Sequence, residues 1–267
     1  MPGFLFRMVV RMGSVDSKLR FTDRVASYVK ARPGYPAEVI DVLRNNCGLT
    51  SNTVVADVGA GTGILARMLC EHAHSVYAVE PNDAMRAACE DFLADQQNFT
   101  AVNGAAENTK LSATSVDLIT VAQAFHWFDQ KEARHEFMRI LKPNGYTALI
   151  WNDRKTSGSP LAEAYEKLLL DFGTDYAEVQ SRGKQTLEGF ERFFGHSQIR
   201  RATIPNAQHL ERDAFVERAI SASYMPNQGH PRYQAMIGAV QQIFDENRAG
   251  GTVVLEYDTN IYYAQMS

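Results

Sequence analysis

Two hydrophobic patterns alternate along the chain after residue 50. Short apolar runs, typical of buried strands, alternate with longer segments whose apolar residues recur every three to four positions, as on one face of an α-helix. The runs predict strands over residues 53–58, 75–79, 99–102, 116–122 and 146–151, and the segments between them predict helices over 64–72, 83–95 and 130–141. This alternation indicates a parallel sheet covered by helices on both faces. In the helix over 83–95, we expect Met85, Ala88 and Phe92 to face the core.

The alternation ends after residue 151. Helices are predicted over 160–172, 212–221 and 233–247, and strands over 199–204 and 252–264, where β-branched and aromatic residues are frequent. We interpret residues 152–228 as a helical cap inserted after the fifth strand. Residues 1–20 are interpreted as a disordered or accessory extension, and residues 21–267 as one domain.

The composition is that of a globular protein. The chain has 267 residues, of which 45% are hydrophobic and 22% charged, and its formal net charge is -4. Because no basic run exceeds a residue pair, a nucleic-acid partner is not expected. No apolar stretch reaches the ~18 residues of a membrane span, so membrane insertion is not expected. A cytoplasmic location is the default expectation. The spacing of Cys47, Cys70 and Cys89 predicts neither disulfides nor a metal site.

A glycine-rich loop carries the main chemical signal. The segment Asp57-Val58-Gly59-Ala60-Gly61-Thr62-Gly63 follows the first predicted strand and opens a helix. Glycines let the backbone turn sharply and let a ligand lie against it. In an open α/β sheet this turn lies at the carboxyl edge, where ligands bind. Glu80 ends the second strand about twenty residues further on, where a carboxylate can accept hydrogen bonds from ribose hydroxyls.

The loop is compatible with two kinds of cofactor. The segment Gly61-Thr62-Gly63-Ile64-Leu65-Ala66 also satisfies the Gly-x-Gly-x-x-Ala pattern of dinucleotide-binding proteins. However, Asp57 places a negative charge where a pyrophosphate would need a positive environment. S-adenosylmethionine has no phosphate and carries a sulfonium and an amino group, so the sequence favours it. A dinucleotide-dependent oxidoreductase, and a protein that binds S-adenosylmethionine without turnover, remain as alternatives.

Taken together, the motifs resemble those of the class I S-adenosylmethionine-dependent methyltransferases, in particular the small-molecule branch with the trans-aconitate and ubiquinone-pathway enzymes. The resemblance extends over residues 21–151. It rests on Tyr28-x-x-x-Arg32-Pro33-x-Tyr35-Pro36, the glycine loop with Asp57, Glu80-Pro81-Asn82 with Met85, Gly104-x-Ala106-Glu107, Gln123-Ala124-Phe125-His126-Trp127-Phe128 and Leu141-Lys142-Pro143-Asn144-Gly145. It implies a Rossmann-like, seven-stranded, mostly parallel sheet whose last strand is antiparallel, with residues 252–264 as that strand. It also implies methyl transfer to a small-molecule acceptor, with S-adenosylhomocysteine as product and no metal.

The resemblance assigns a cofactor role to twelve residues. They are Tyr28 and Arg32, which would close over the cofactor carboxylate or the substrate; Gly59, Gly61 and Gly63 under the cofactor; Asp57 facing its amino acid portion; Glu80 at the ribose; Asn82 and Met85 along the adenosine; Ala106 and Glu107 beside the adenine; and Gln123 near the methionine portion. One position departs from the family pattern. Ala105 replaces an aspartate that accepts from the adenine amino group in many relatives, so that contact must come from Glu107, the backbone or water, or be absent.

Three aromatic residues complete the predicted site. His126 is a candidate general base, because an imidazole titrates near neutral pH, and the alternative is a structural histidine. Trp127 and Trp151 are candidate substrate contacts, and the alternative for both is pocket wall or core. The fourth strand is not followed by a Pro-Pro-Tyr type motif, so methylation of a nucleic-acid base amine is not expected. The sequence leaves the acceptor and the oligomeric state open.

Overall fold

The structure is a computed structural model that describes residues 32–177, 187–195 and 198–266. The predicted extension over residues 1–20 and the amino-terminal Tyr28 lie outside the described residues. Among the residues that are described, no helix is both long and apolar enough to cross a membrane.

A single seven-stranded sheet forms the centre of the molecule. Its strand order is β3-β2-β1-β4-β5-β7-β6. Strands β1 to β5 pair in parallel, while β7 runs antiparallel to both β5 and β6. The strands are β1 (Val54–Val58), β2 (Ser75–Val79), β3 (Phe99–Val102), β4 (Val116–Ala122), β5 (Leu141–Arg154), β6 (Arg200–Leu210) and β7 (Val253–Gln265). The predicted mostly parallel α/β sheet with an antiparallel last strand is confirmed.

Helices cover both faces of this sheet. They are α1 (Glu38–Cys47), α2 (Ile64–Cys70), α3 (Asp83–Phe92), α4 (Gln130–Ile140), α5 (Pro160–Phe172), α6 (Leu187–Phe194), α7 (Arg212–Ile220) and α8 (Tyr233–Asn247). One core lies between the sheet and α1, α2 and α3, and a second lies between the opposite face and α4 and α6. Neighbouring strand residues such as Val55 and Ala56 point into different cores, as the two-residue period of a strand requires.

The segment before the predicted fifth strand is an interruption within β5. Leu141 already pairs with Val116, and regular pairing resumes where Tyr146 meets Leu118. Between them Asn144 adopts a positive φ of 66°, a conformation in which asparagine is tolerated better than most residues. β5 then continues beyond the predicted end to Arg154, because β7 supplies a long antiparallel partner.

The region after β5 is not purely helical. Residues 152–228 contain β6, which is the edge strand of the central sheet and pairs with β7 along its whole length. Helices α5, α7 and α8 form a third apolar cluster with the ends of β6 and β7. The first half of β7, around Leu255 and Tyr257, therefore extends the sheet into this helical layer. Whether the layer acts as a cap remains a prediction.

One predicted core position is wrong. Phe92 is 39% exposed, whereas Cys89 and Leu93 are buried in its place. The helix ends at Phe92, one turn earlier than predicted, and the guanidinium of Arg67 lies over the Phe92 ring at 5.2 Å from its centroid. An apolar ring at a helix end can thus be covered by a neighbouring arginine instead of the core.

Candidate functional site

The glycine loop is anchored to the end of β2 by its own backbone. The N–H groups of Gly59 and Ala60 both donate to the carbonyl of Val79, at 2.8 and 3.2 Å. Gly59, Gly61 and Gly63 all have positive φ, at 71°, 57° and 85°. A residue with a Cβ would be strained at each of these positions, so the sequence needs glycine at all three.

The three glycines differ in what surrounds them. A Cβ on Gly59 would lie 2.6 Å from the Cβ of Ala124, and one on Gly63 would lie 2.5 Å from Cδ1 of Leu93. These two glycines therefore allow close packing against the segment after β4 and against α3. A Cβ on Gly61 would meet no atom of the described residues within 4 Å. Gly61 is thus the glycine whose missing side chain opens onto free space.

Glu80 joins the loop to the start of α3. Its Oε2 accepts from the N–H of Gly61 at 2.9 Å, and its Oε1 accepts from the N–H of Asn82 at 2.9 Å. Burial raises the pKa of Glu80, although these two backbone hydrogen bonds oppose the rise. The carboxylate lies at the carboxyl end of β2, beside the open side of the loop.

Asp57 lies beneath the loop. Asp57 pairs with Thr120 of the neighbouring strand β4, and the Thr120 hydroxyl donates to Asp57 Oδ1 at 2.7 Å. The other oxygen, Oδ2, is buried and has no hydrogen-bond partner among the described residues. With the residue only 1% exposed, burial raises the pKa of Asp57 to about 7, against the opposing hydrogen bond from Thr120.

Asn82 and Met85 have a local structural explanation. Asn82 is the N-cap of α3, and its Oδ1 accepts from the N–H of Met85 at 3.0 Å. Both residues are buried. An asparagine N-cap satisfies one of the free N–H groups at the start of a helix. Their contact with adenosine stays a prediction.

The predicted adenine contacts lie in a turn after β3. Ala106 is buried, and Ala105 forms an isolated bridge with Asn108. Glu107 Oε1 accepts from the N–H of Asp129 at 2.8 Å, and Asp129 in turn caps α4. Glu107 therefore fixes the loop before α4, while its role towards adenine remains a prediction.

Gln123 and Arg32 belong to a chain of contacts beyond the end of β4. Gln123 has a φ of 57°, and its Nε2 donates to the carbonyl of Asn152 at 3.3 Å. Asn152 and Asn206 both donate from Nδ2 to the carbonyl of Gly34, at 3.1 and 2.9 Å. Arg32, two residues earlier, donates from Nη2 to the carbonyl of Ser221 at 3.4 Å.

These contacts hold the segment after Arg32 against the carboxyl edge of the sheet. Sequence reasoning missed Asn152 and Asn206, which lie on neighbouring parts of β5 and β6. Asn152 directly follows the apolar run of the predicted fifth strand, and a polar side chain at that edge of the sheet was the signal that could have identified it. Tyr28, the partner proposed for Arg32, lies outside the described residues.

His126 and Trp127 form a 3₁₀ turn with Phe125 directly after β4. Their rings are 4.8 Å apart. The flanking residues Ala124 and Phe128 approach Gly59, so this turn packs on the glycine loop. The catalytic role of His126 and the substrate role of Trp127 remain predictions.

Trp151 has a different environment. It is 7% exposed and belongs to the core on the α4 and α6 face. Its ring lies 6.1 Å from that of Phe125 and 5.8 Å from that of Phe190. These surroundings match the core interpretation, and the substrate contact stays an untested prediction. In the part of the chain that is described, no group of three or more His, Cys, Asp or Glu residues is placed to hold a metal ion.

Comparison with known proteins finds methyltransferases that match the central part of the chain. Residues 56–149 match the family model described as a methyltransferase domain. An uncharacterised methyltransferase from Mycobacterium bovis is 39% identical over 143 residues, which are 52% of this chain and 54% of the relative. An uncharacterised methyltransferase-like protein from Schizosaccharomyces pombe is 36% identical over 157 residues, 58% of this chain and 59% of the relative. The matched part thus spans little more than half the length of these relatives.

Solved structures show the same fold at low sequence identity. A candidate type II methyltransferase from Anaeromyxobacter dehalogenans superposes with a TM-score of 0.60 at 20% identity, covering 87% of this chain and 96% of that chain. A candidate methyltransferase from an antibiotic biosynthesis pathway of Anabaena variabilis also gives 0.60, at 17% identity, covering 90% of this chain and 100% of that chain. Residues 56–149 therefore match the methyltransferase domain family, and the chain shares its fold with these two solved structures.

Proposed function

We propose that this protein transfers a methyl group from S-adenosylmethionine to a small-molecule acceptor. The observation that carries the proposal is the arrangement at the carboxyl edge of β1 and β2. There the open side of Gly61 lies next to the Glu80 carboxylate, above a buried Asp57, one oxygen of which has no hydrogen-bond partner in the described part of the chain.

These residues fit the cofactor. Glu80 uses one lone pair of each oxygen for the backbone, and each oxygen has a second lone pair for a ribose hydroxyl. A cationic group bound above Asp57 would favour the ionised form of that carboxyl. Gly61 leaves room for a ligand to lie against the backbone. The cofactor supplies an electrophilic methyl group on a sulfonium, which is already activated for displacement.

The protein's own contribution is alignment, exclusion of water and, for some acceptors, removal of a proton. We infer that the turn of His126 and Trp127 forms the side of the site next to the loop, because its flanking residues contact Gly59. His126 would take a proton from a hydroxyl or carbon acceptor. An amine acceptor would only need to be neutral.

The alternative of a nicotinamide or flavin cofactor is disfavoured by Asp57. A buried carboxyl beneath the glycine loop would oppose the charge of a pyrophosphate. A protein that binds S-adenosylmethionine without turnover would share the same cofactor residues, so only an activity measurement separates it from an enzyme.

A thermal-shift experiment tests the proposed cofactor. A ligand that binds only the folded protein stabilises it by RT ln(1 + [L]/Kd), about 2.7 kcal/mol at a concentration 100 times Kd. We expect S-adenosylmethionine and S-adenosylhomocysteine to raise the melting temperature, and NAD and FAD to leave it unchanged. A rise with NAD alone would contradict the proposal.

A further inference from the structure

A buried arginine in the helical layer has no acidic partner among the described residues. Arg218 lies in α7 and is 6% exposed. Its guanidinium makes one hydrogen bond to the described part of the chain, from Nε to the Tyr257 hydroxyl at 3.3 Å. None of the described carboxylates forms an ion pair with it. An arginine cannot shed its charge at neutral pH, so this arrangement buries a cation whose terminal N–H groups are unused.

The hydroxyl partner of Arg218 is itself oriented to accept. Tyr257 OH donates to Oε1 of Gln208 at 3.3 Å, and it therefore receives the N–H of Arg218 with a lone pair. Four of the five guanidinium N–H groups, those on Nη1 and Nη2, remain available in a planar fork. That fork matches the two oxygens of a carboxylate.

A second buried donor lies beside the arginine. Tyr165 of α5 is 1% exposed, close enough to Arg218 for an electrostatic interaction, and its hydroxyl has no hydrogen-bond partner among the described residues. Burial raises the pKa of Tyr165 to about 12, so the hydroxyl keeps its proton and can donate it. Two donor groups on different helices, the Arg218 Nη atoms and the Tyr165 hydroxyl, thus have no acceptor among the described residues.

A neighbouring arginine, in contrast to Arg218, has an acidic partner within the protein. Arg154 lies over the Tyr165 ring at 5.0 Å and is paired with Glu166. The charge of Arg154 is therefore balanced within the protein. Arg218 thus carries a single positive charge without an acidic partner among the described residues, which suits a monoanionic carboxylate better than a doubly charged phosphate.

The position of this cluster relates it to the candidate site. The last residue of β4, Ala122, pairs with Ile150 of β5. Tyr257 pairs with Arg154, which lies four residues further along β5. At about 3.3 Å per residue, this is ~13 Å past the end of β4, on the same edge as the glycine loop. Arg32 binds the carbonyl of Ser221, at the end of α7, so the segment between Arg32 and Gly34 connects the two places.

We propose that Arg218, with the hydroxyl of Tyr165, binds a carboxylate of the methyl acceptor and so selects acidic small molecules. The carboxylate serves as an anchor, remote from the atom that receives the methyl group. This inference rests on the proposed methyltransferase function, and it assigns the charged end of the acceptor to α5 and α7.

The experiment uses the full chain saturated with S-adenosylhomocysteine. The probes are a series of straight-chain and aromatic carboxylates, the matched primary amides and inorganic phosphate, each tested by thermal shift and, where a shift occurs, by calorimetry. We expect at least one carboxylate to raise the melting temperature while its amide and phosphate do not. A shift with phosphate and none with any carboxylate would overturn the proposal, as would equal shifts with acid and amide.

Substitutions then locate the anchor. Arg218→Met should abolish the carboxylate shift, and Tyr165→Phe, which keeps the ring, should weaken carboxylate binding by about tenfold, as expected for a hydrogen bond to a charged group. Arg212→Met is the matched control, because Arg212 is on the same helix but pairs with Asp245 at the surface. It should leave carboxylate binding unchanged.

The stability of the unliganded variants separates binding from structure. Because Arg218 is a buried cation without an acidic partner, Arg218→Met should fold with a melting temperature no lower than that of the wild type. A large loss of stability would instead assign Arg218 a structural role and overturn the proposal, unless Tyr165→Phe shows the expected weakening in a stable protein. If S-adenosylhomocysteine still raises the melting temperature of every variant, the cofactor assignment stands independently of the anchor. If S-adenosylhomocysteine does not raise the melting temperature of the wild type, the proposed function itself is refuted.

Discussion

At the scale of single residues, Glu80 stabilises the loop before any ligand binds. Its two oxygens bridge the N–H groups of Gly61 and Asn82, so that one side chain fixes both the glycine loop and the start of α3. The sequence predicted the position of this carboxylate beside the loop from the end of a strand alone. It could not predict the bridge, because a hydrogen bond to a particular backbone N–H depends on tertiary geometry.

The first prediction concerns the contrast between Glu80 and His126. Glu80→Ala removes a charged acceptor for the ribose hydroxyls and loosens the loop, and both effects weaken S-adenosylhomocysteine binding. Hydrogen bonds to charged groups contribute ~1.5–3 kcal/mol, which corresponds to a loss of ~10- to 150-fold in affinity. His126→Ala should leave that affinity nearly unchanged. Calorimetry on the two variants and the wild type measures the difference.

Two outcomes would contradict this prediction. Full affinity in Glu80→Ala would remove the ribose contact on which the placement of the cofactor rests. An equal loss in both variants would mean that His126 supports the loop, and its separate role as a base would lose its motivation. Circular dichroism at the assay temperature verifies that both variants are folded.

At the scale of elements, the regular pattern predicted strands better than helix ends. The bounds of β2, β3 and β4 were predicted to the residue, because polar or turn-forming residues flank each apolar run. The end of α3 was predicted too late, and Phe92 was assigned to the core, because hydrophobic periodicity does not distinguish a core contact from the face of an arginine. The extension of β5 was missed because a strand's length depends on its partner, here β7.

The loop that joins β1 to α2 allows a comparison of two glycines. Gly61→Ala and Gly63→Ala both place a Cβ at positive φ, at a cost of ~1–2 kcal/mol. Only Gly63→Ala also forces atoms together, because its Cβ would lie 2.5 Å from Leu93 and 2.7 Å from Cys89. Overpacking of this kind costs a further ~1–3 kcal/mol. Chemical denaturation should therefore rank Gly63→Ala as the less stable variant.

Ligand affinity should rank these two variants in the opposite order from stability, with Gly61→Ala as the weaker binder. The Cβ of Gly61→Ala points into the space where we propose that the cofactor lies, so this variant should fold and yet bind S-adenosylhomocysteine more weakly than its small loss of stability explains. Normal binding by a folded Gly61→Ala protein would argue against a ligand on that side of the loop.

At the scale of the whole molecule, the sequence predicted the sheet and left the helical layer poorly defined. The sheet follows from buried strands with a strong apolar signature, and the antiparallel β7 followed from the family resemblance rather than from the pattern. The layer of α5, α7 and α8 is stabilised by contacts between distant segments, such as Phe215 with Phe244, which no local pattern encodes. Its residues are also the ones that we expect to vary with the acceptor, so general motifs carry little information about them.

The last prediction concerns how Asp57 couples folding to pH. Burial raises the pKa of Asp57 to about 7, above its ordinary value of 3.8, so the folded protein holds a proton that the unfolded chain has released. Between these two values the folded state binds more protons, and the free energy of unfolding of the protein without ligand must fall as the pH rises, by at most ~1.4 kcal/mol per pH unit for a single group. Above about pH 7 the effect of this group levels off. Asp57→Asn keeps the shape of the side chain but removes the titration, so its stability relative to the wild type should increase from about pH 5 to about pH 7 and then remain constant. Urea unfolding of both proteins across this range measures the difference directly, and titrating groups that do not interact with Asp57 cancel in it. Parallel curves would show that Asp57 is already ionised at the lower end of the range, in which case the buried oxygen beneath the glycine loop has a partner that stabilises its charge.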